Sequence, residues 1–340
     1  MKVQARRDPG LVARLGPPIA LRYADGADPS LDRPAHVRAG SGLARVGDRL
    51  VVVQDDAAFL ALVDPRTGLA DAVTLPADDD GRRQFSAARG NKDRKYDLEA
   101  CLALPLDAGV VRLLAFGSGS TARRERVLVT TFPDGAPDPA RAEVAFVDAA
   151  PLYAALRDAP GFAGSELNVE GAALVGRRVR LFGRGNGAAR DGVEAVSATG
   201  EVELDALLAF LLHDGPVPAL RAIVPYGLGE IDGAVLAFTD AATIDTDTIL
   251  YAAAAERSPN TYDDGEVTGS ALGLIGADGG ARWTPVLDAE GAPYRGKIEG
   301  VLPERGEPGR FWVVTDADDA EAPSTLHEVT LRDAEGRPAV

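Results

Sequence analysis

Cysteine is nearly missing from this 340-residue chain: Cys101 stands alone, so no intrachain disulfide can form and no cysteine-rich metal centre can be built. Its setting in EACLALP reads as a small buried strand residue. Histidine is scarce too, with only His36, His213 and His327, widely spaced and without an HExxH pair, which removes a histidine-rich zinc centre. Hydrophobic runs are short. LDALLAFLLHDG is the longest and falls well below the roughly 20 residues a membrane helix needs. The N-terminal MKVQARRDPGLVARLGPP has no apolar stretch of secretory type. Without export signal or disulfide framework, a cytoplasmic location is the expectation, with no membrane partner. Positive charge is the minority sign, 36 basic residues against 52 acidic, a formal charge of −16. Such a surface repels phosphate backbones and anionic lipid, so nucleic acid is not an expected partner, whereas cations are. Nothing here sets an oligomeric state.

What the chain does have is turn residues and short strands. Glycine (38) and proline (23) punctuate runs such as RLVVVQDD, AFLALVD, DLEACLALP, VVRLLAFGSGS, NVEGAALVG, RRVRLFGRGN, TILYAAAAE and RFWVVTD. Short alternating or apolar runs between Gly, Asp and Pro are strand signals. In the third set, GVEAVSATG and EVELDAL read as two further strands, while PLYAALRD and LDALLAFLL leave strand and helix both open.

A period emerges when the strand starts are aligned. Ser41, Glu99, Glu170, Asp232 and Glu299 fall at equivalent stations, followed by Gly42, Ala100, Gly171, Gly233 and Gly300. A flat sandwich gives no reason for this repetition; a propeller does, because the first strand of each four-stranded blade lines one central channel. The expected fold class is therefore all-β, a β-propeller of four-stranded blades in a single domain over 1–340. Five blades are readable and a sixth stays open. The N-terminal LVARL is available as the outer strand of the last blade.

Four carboxylates around one axis repel each other, and a hard cation held by oxygen ligands relieves that repulsion. The expected metal set is Glu99, Glu170, Asp232 and Glu299, with Ser41 and Asn168 as further donors, and calcium as the cofactor. Lys95 and Lys297 offer the competing solution, a ring of ion pairs without metal. A rim of Arg123, Arg124, Arg184, Asn186, Asp263, Asp264, Asp316 and Asp318 would meet a small-molecule ligand, arginines matching its carboxylate or phosphate oxygens. The same residues also suit plain turns. Metal-assisted hydrolysis follows as the expected chemistry, with Glu99, Glu170 and Glu299 the catalytic candidates. A non-enzymatic small-ligand or protein-binding propeller is the alternative.

The ordered motifs KYDLEACLALP…LLAFGSGS, LNVEGAALVG…LFGRGNG, NTYDDGEVTGSALG and KIEG…VVTDADDAEAPSTL resemble an uncharacterised bacterial family of phytase-like predicted β-propellers, from about Ser41 to Thr330. More distantly, the acidic strand starts are similar to those of the calcium-bearing paraoxonase, gluconolactonase and esterase-like phytase propellers. That resemblance implies axial calcium and hydrolysis of a small phosphoester, ester or lactone. Paraoxonase-type centres use asparagine prominently, and here only Asn168 and Asn186 stand in suitable places.

Overall fold

Alternation of apolar and polar residues between turn signals produces a largely β-sheet protein; the computed structural model describes residues 2–257 and 265–340. Successive antiparallel meanders organise sheets of five, four, five and eleven strands, the eleven-stranded one holding the last two meanders, a pattern consistent with a propeller-like architecture. The first comprises Gly40–Val46, Arg49–Gln54, Phe59–Val63 and Leu69–Thr74. Leu98–Pro105, Val111–Gly117, Arg126–Phe132 and Glu143–Asp148 form the second. The third runs through Val169–Val175, Arg178–Gly183, Ser197–Glu203 and Arg221–Gly227, and the fourth through Ala234–Thr243, Ile249–Arg257, Glu266–Ile275 and Ala281–Leu287. In the last, Lys297–Pro303, Arg310–Asp316 and Thr325–Arg332 are joined by Val12–Leu15, which pairs antiparallel with Thr325–Arg332.

The chain packs as two compact units: residues 1–17, 149–313 and 327–340, and residues 18–148 with 314–326. The smaller unit closes its core with Val51, Val53, Leu60, Leu62, Leu113, Leu128 and Phe132, all buried between neighbouring sheets. In the larger unit one core centres on Phe238, which meets Phe182, Tyr226 and Tyr251 edge-to-face at 5.1–5.5 Å. A second core there gathers Leu250, Leu272, Phe311, Val313 and Val329.

One sequence expectation changes and one open assignment is settled. GVEAVSATG and EVELDAL are not two strands: Ser197–Glu203 is one strand, and the chain then turns into the helix Leu204–His213, where seven leucine, alanine and phenylalanine side chains after Asp205 favour helical over extended backbone. The fourth place in that sheet goes to Arg221–Gly227. PLYAALRD resolves as the helix Ala150–Arg157. No helix among the described residues is long and apolar enough to cross a membrane.

A bulge recurs in four first strands. Ser41, Glu99, Glu170 and Thr239 are each the extra residue where the register slips, between Gly40 and Gly42, Leu98 and Ala100, Val169 and Gly171, and Phe238 and Asp240. A bulge twists its strand and re-aims one side chain. Here the re-aimed hydroxyls join neighbouring first strands: Ser41 Oγ donates to the Leu98 carbonyl at 2.5 Å, and Thr239 Oγ1 to the Ile298 carbonyl at 2.6 Å. Close approach accompanies this. A Cβ on Gly171 would stand 3.0 Å from the Ala241 nitrogen, and one on Gly42 3.2 Å from Cys101 Sγ.

Candidate metal and acid clusters

In the smaller unit the second-strand end of the first meander and the first-strand start of the second bring five charged groups together. Asp55 and Asp56 follow the strand ending at Gln54, Lys95 and Asp97 lead into the strand beginning at Leu98, and Glu99 is that strand's second residue. Asp97 adopts φ 56°, a left-handed conformation that aspartate tolerates better than most residues. Lys95 Nζ lies 2.5 Å from Asp55 Oδ2, 2.7 Å from Asp97 Oδ1 and 3.0 Å from Asp56 Oδ1. Arg124 Nη1 is 2.8 Å from Asp97 Oδ2, which also accepts from Ser118 Oγ at 2.5 Å. Ser118 and Ser120 share a hydrogen bond of 2.9 Å, and Arg124 donates to Ser120 Oγ at 2.8 Å. The GSGS segment is thus a polar support for Asp97.

Burial alone would raise the Asp97 carboxyl, but Lys95 and Arg124 overcome it and hold Asp97 below the ordinary range. Asp55 goes the other way. Burial lifts it, Lys95 opposes, and Asp56 and Asp97 add their repulsion, leaving it well above a normal carboxyl. Asp55, Asp97 and Glu99 offer carboxylate oxygens within 4.8 Å of one another, a buried acidic cluster able in principle to hold a metal ion. Oxygen-only donors suit a hard cation. An incoming ion would compete with the Lys95 ammonium for Asp55 and Asp97.

The larger unit builds a second charged network from the third, fourth and fifth meanders. Arg184 bridges Glu170 at 3.3 Å and Glu256 at 2.6 Å, while Lys297 Nζ meets Glu299 at 2.5 Å. Asn168 Nδ2 donates to Glu170 Oε1 at 2.6 Å. Asp240 lies beside them, its Oδ2 accepting from the Val301 amide at 2.8 Å. Burial raises the Glu299 carboxyl to about 7 against the opposing pull of Lys297 and Arg184. Burial also pushes Asp240 well up; two backbone amides oppose this, and Glu170 and Glu299 reinforce it.

The sequence-predicted residues therefore divide. Glu99 belongs to the first cluster, and Glu170, Glu299 and Asn168 to the second. Asp232 joins neither: it turns the hairpin between Glu230–Ile231 and Ala234–Thr243 at φ 50°, its exposed carboxylate 3.4 Å from Arg295. The bulge it was aligned with is occupied by Thr239. Ser41 spends its hydroxyl on Leu98, as above. Of the rim, Arg124 and Arg184 are in the clusters, whereas Arg123 donates to the Arg94 carbonyl at 2.6 Å and lies over the Tyr96 ring at 5.4 Å. Asn186 is half-buried beyond the strand that ends at Gly183. Asp316 caps backbone and Ser324, accepting from Ala39 N–H at 2.8 Å, Ser324 Oγ at 3.0 Å and Asp318 N–H at 2.9 Å, and Asp318 takes the left-handed turn position. Asp263 and Asp264 lie outside the described residues. Asp240 escaped the sequence reading, although an aspartate inside the apolar AVLAFTDAAT was the available signal.

Solved structures with a distant likeness include a luciferin-regenerating enzyme (9% identity, TM-score 0.40, covering 92% of this chain and 95% of that one). The Myxococcus xanthus glutaminyl cyclase gives 9%, 0.45, 98% and 100%; a GH93 α-L-arabinofuranosidase of Fusarium graminearum gives 9%, 0.42, 93% and 98%. These are diverse enzymes, the likeness is not specific to phytases or paraoxonases, and it assigns no reaction. No curated protein matches the chain. Residues 36–331, which contain both clusters, match one family across most of the sequence, and the chain belongs to it: the Family of unknown function (DUF6929).

Proposed function

We propose that the five meanders are the blades of a propeller and that the Asp55–Asp97–Glu99 cluster takes a hard divalent cation, calcium first, in a site that hydrolyses a small phosphoester, ester or lactone. One observation carries this reading: three carboxylates with oxygens within 4.8 Å of one another, in a setting that already disfavours ionised Asp55. Burial is the main source of that disfavour and repulsion by Asp56 and Asp97 adds to it; a bound cation would offset both by favouring the ionised carboxylate. When bound, it would polarise a substrate oxygen or lower the pKa of water. The chain's own part is to position: Arg124 and Ser118 hold Asp97, and Arg124 presents positive charge beside the acids.

A second reading has its own support. Lys95 makes three contacts of 2.5–3.0 Å within the cluster and is itself a resident cation, which suits a metal-free propeller that binds a small ligand or protein. Calcium titration by calorimetry separates the two. Under the first reading wild type binds with saturable heat, Asp97→Asn and Glu99→Gln lose it, and hydrolysis of p-nitrophenyl phosphate, p-nitrophenyl acetate or a γ-lactone depends on calcium. Absence of heat at millimolar calcium in the folded wild-type protein overturns the metal, and calcium-independent rates overturn its role in hydrolysis.

A further inference from the structure

Among the described residues, the larger-unit network holds more carboxyl groups than cations. Glu170, Glu256 and Glu299 pair with two cations, Arg184 and Lys297, while a fourth carboxyl group, Asp240, lies close enough to Glu170 and Glu299 to feel their charge. Each side chain is at least nine-tenths buried. Asp240 is only 1% exposed, and its Oδ1 is a buried acceptor with no hydrogen-bond donor among the described residues. Glu256 is otherwise engaged, its Oε1 accepting from the Gly265 amide at 2.6 Å. An unmet buried acceptor and an excess of buried carboxyl groups are both costly unless a donor with positive charge arrives.

We propose that this network is a binding site for a small primary ammonium compound, whose N–H groups donate to Asp240 Oδ1 and to the neighbouring Glu299 and Glu170. A bare metal ion fits the site less well, because among the described residues only the Asp55, Asp97 and Glu99 group brings three acidic ligand atoms within 4.8 Å. An ammonium presents three diverging donors and can span carboxylates set farther apart. Lys297 already shows this mode of recognition on Glu299. The raised Asp240 and Glu299 carboxyls add a consequence: near neutral pH the entering cation expels protons. The inference concerns other residues than the calcium reading and stands or falls apart from it.

Calorimetry of the full chain with ethylammonium chloride tests it, with tetramethylammonium chloride at equal ionic strength as a control lacking N–H donors. Saturable heat for ethylammonium alone is expected, with an apparent enthalpy that changes between phosphate and Tris buffers because protons are released. Glu299→Gln and Asp240→Asn should each weaken binding by about tenfold or more, and a folded Asp97→Asn should leave it unchanged while losing any calcium response. Three results overturn the proposal: no ethylammonium heat, equal heat from tetramethylammonium, or unaltered affinity in folded Glu299→Gln. Neutralisation of the network by protons alone would give the first of these.

Discussion

Lys95 Nζ sits 2.7 Å from Asp97 Oδ1, two residues along the same segment, and both side chains are almost wholly enclosed. The ammonium also reaches Asp55 and Asp56 at the end of a different sheet's second strand. One lysine thus ties two meanders of the smaller unit together.

Removing that ammonium strips Asp55 of its cation and leaves Asp97 to Arg124 and Asp56 to Arg38 alone. Lys95→Met should destabilise the protein at pH 7 by about 3–5 kcal/mol, the usual cost of breaking a buried pair from one side. Urea unfolding should recover part of the loss at pH 5, where the orphaned Asp55 takes up a proton. Equal losses at both pH values would mean that packing of the lysine stem matters more than its charge.

Glu299 sets a pH dependence with a definite sign. Its folded carboxyl titrates at about 7, above the ordinary 4.5, so the folded state holds the proton more tightly. Its contribution to stability is complete below the unfolded pKa and is lost as pH rises from about 4.5 through about 7. Glu299→Gln removes the group, so the stability difference between wild type and variant should shift against wild type over that interval. Chemical denaturation at half-unit pH steps reads it; a parallel pair of curves would disprove the assignment.

Asp97 acts in the opposite direction. Its carboxyl is held low because Lys95 and Arg124 outweigh burial. The stability it contributes is present above the unfolded pKa and disappears as pH falls through the folded value. In Asp97→Asn the acid limb of the stability profile should flatten, and an unchanged acid midpoint would show that other groups control it.

The hydroxyl links between first strands make a smaller, sharper prediction. Thr239→Val keeps shape and removes the donor to Ile298, at a cost of about 1–3 kcal/mol for the buried carbonyl left unpaired. Ser41→Ala should behave alike at Leu98. Thermal unfolding measures both, and a neutral Thr239→Val would show that the carbonyl finds another donor.

Gly171 tests close approach. An alanine Cβ there would meet backbone atoms of Asp240 and Ala241 at 3.0–3.2 Å, which cannot swing aside. Gly171→Ala should cost about 1–3 kcal/mol through overpacking, whereas Gly306→Ala, with open space but φ 72°, pays only backbone strain. Equal losses in the two variants, by denaturant titration, would refute the steric account.

Particular residues show how far the chain could be read. Ser41, Glu99 and Glu170 were legible as equivalent stations because a polar residue followed by Gly or Ala, ahead of an apolar run, marks where a strand bulges. Asp232–Gly233 carries the same letters for another reason: Asp and Gly with positive φ make a hairpin turn, and the bulge comes later, at Thr239. A two-residue motif cannot distinguish a turn from a bulge, since both need the same backbone freedom. Asp316, a rim candidate, caps local backbone and Asp318 holds a left-handed turn position, because an aspartate's preference for local amides and for turns is indifferent to what lies beyond.

Local composition by itself determined most of the strands and turns and the acidic strand starts at Glu99, Glu170 and Glu299, since these depend on periodicity and on residues adjacent along the chain. Only the tertiary structure decided which cation faces which carboxylate: Lys95 with Asp55 and Asp56, and Arg184 with Glu170 and Glu256. The physical reason is that a buried charge is set by whatever packs within a few ångströms of it, and those neighbours come from strands tens of residues away.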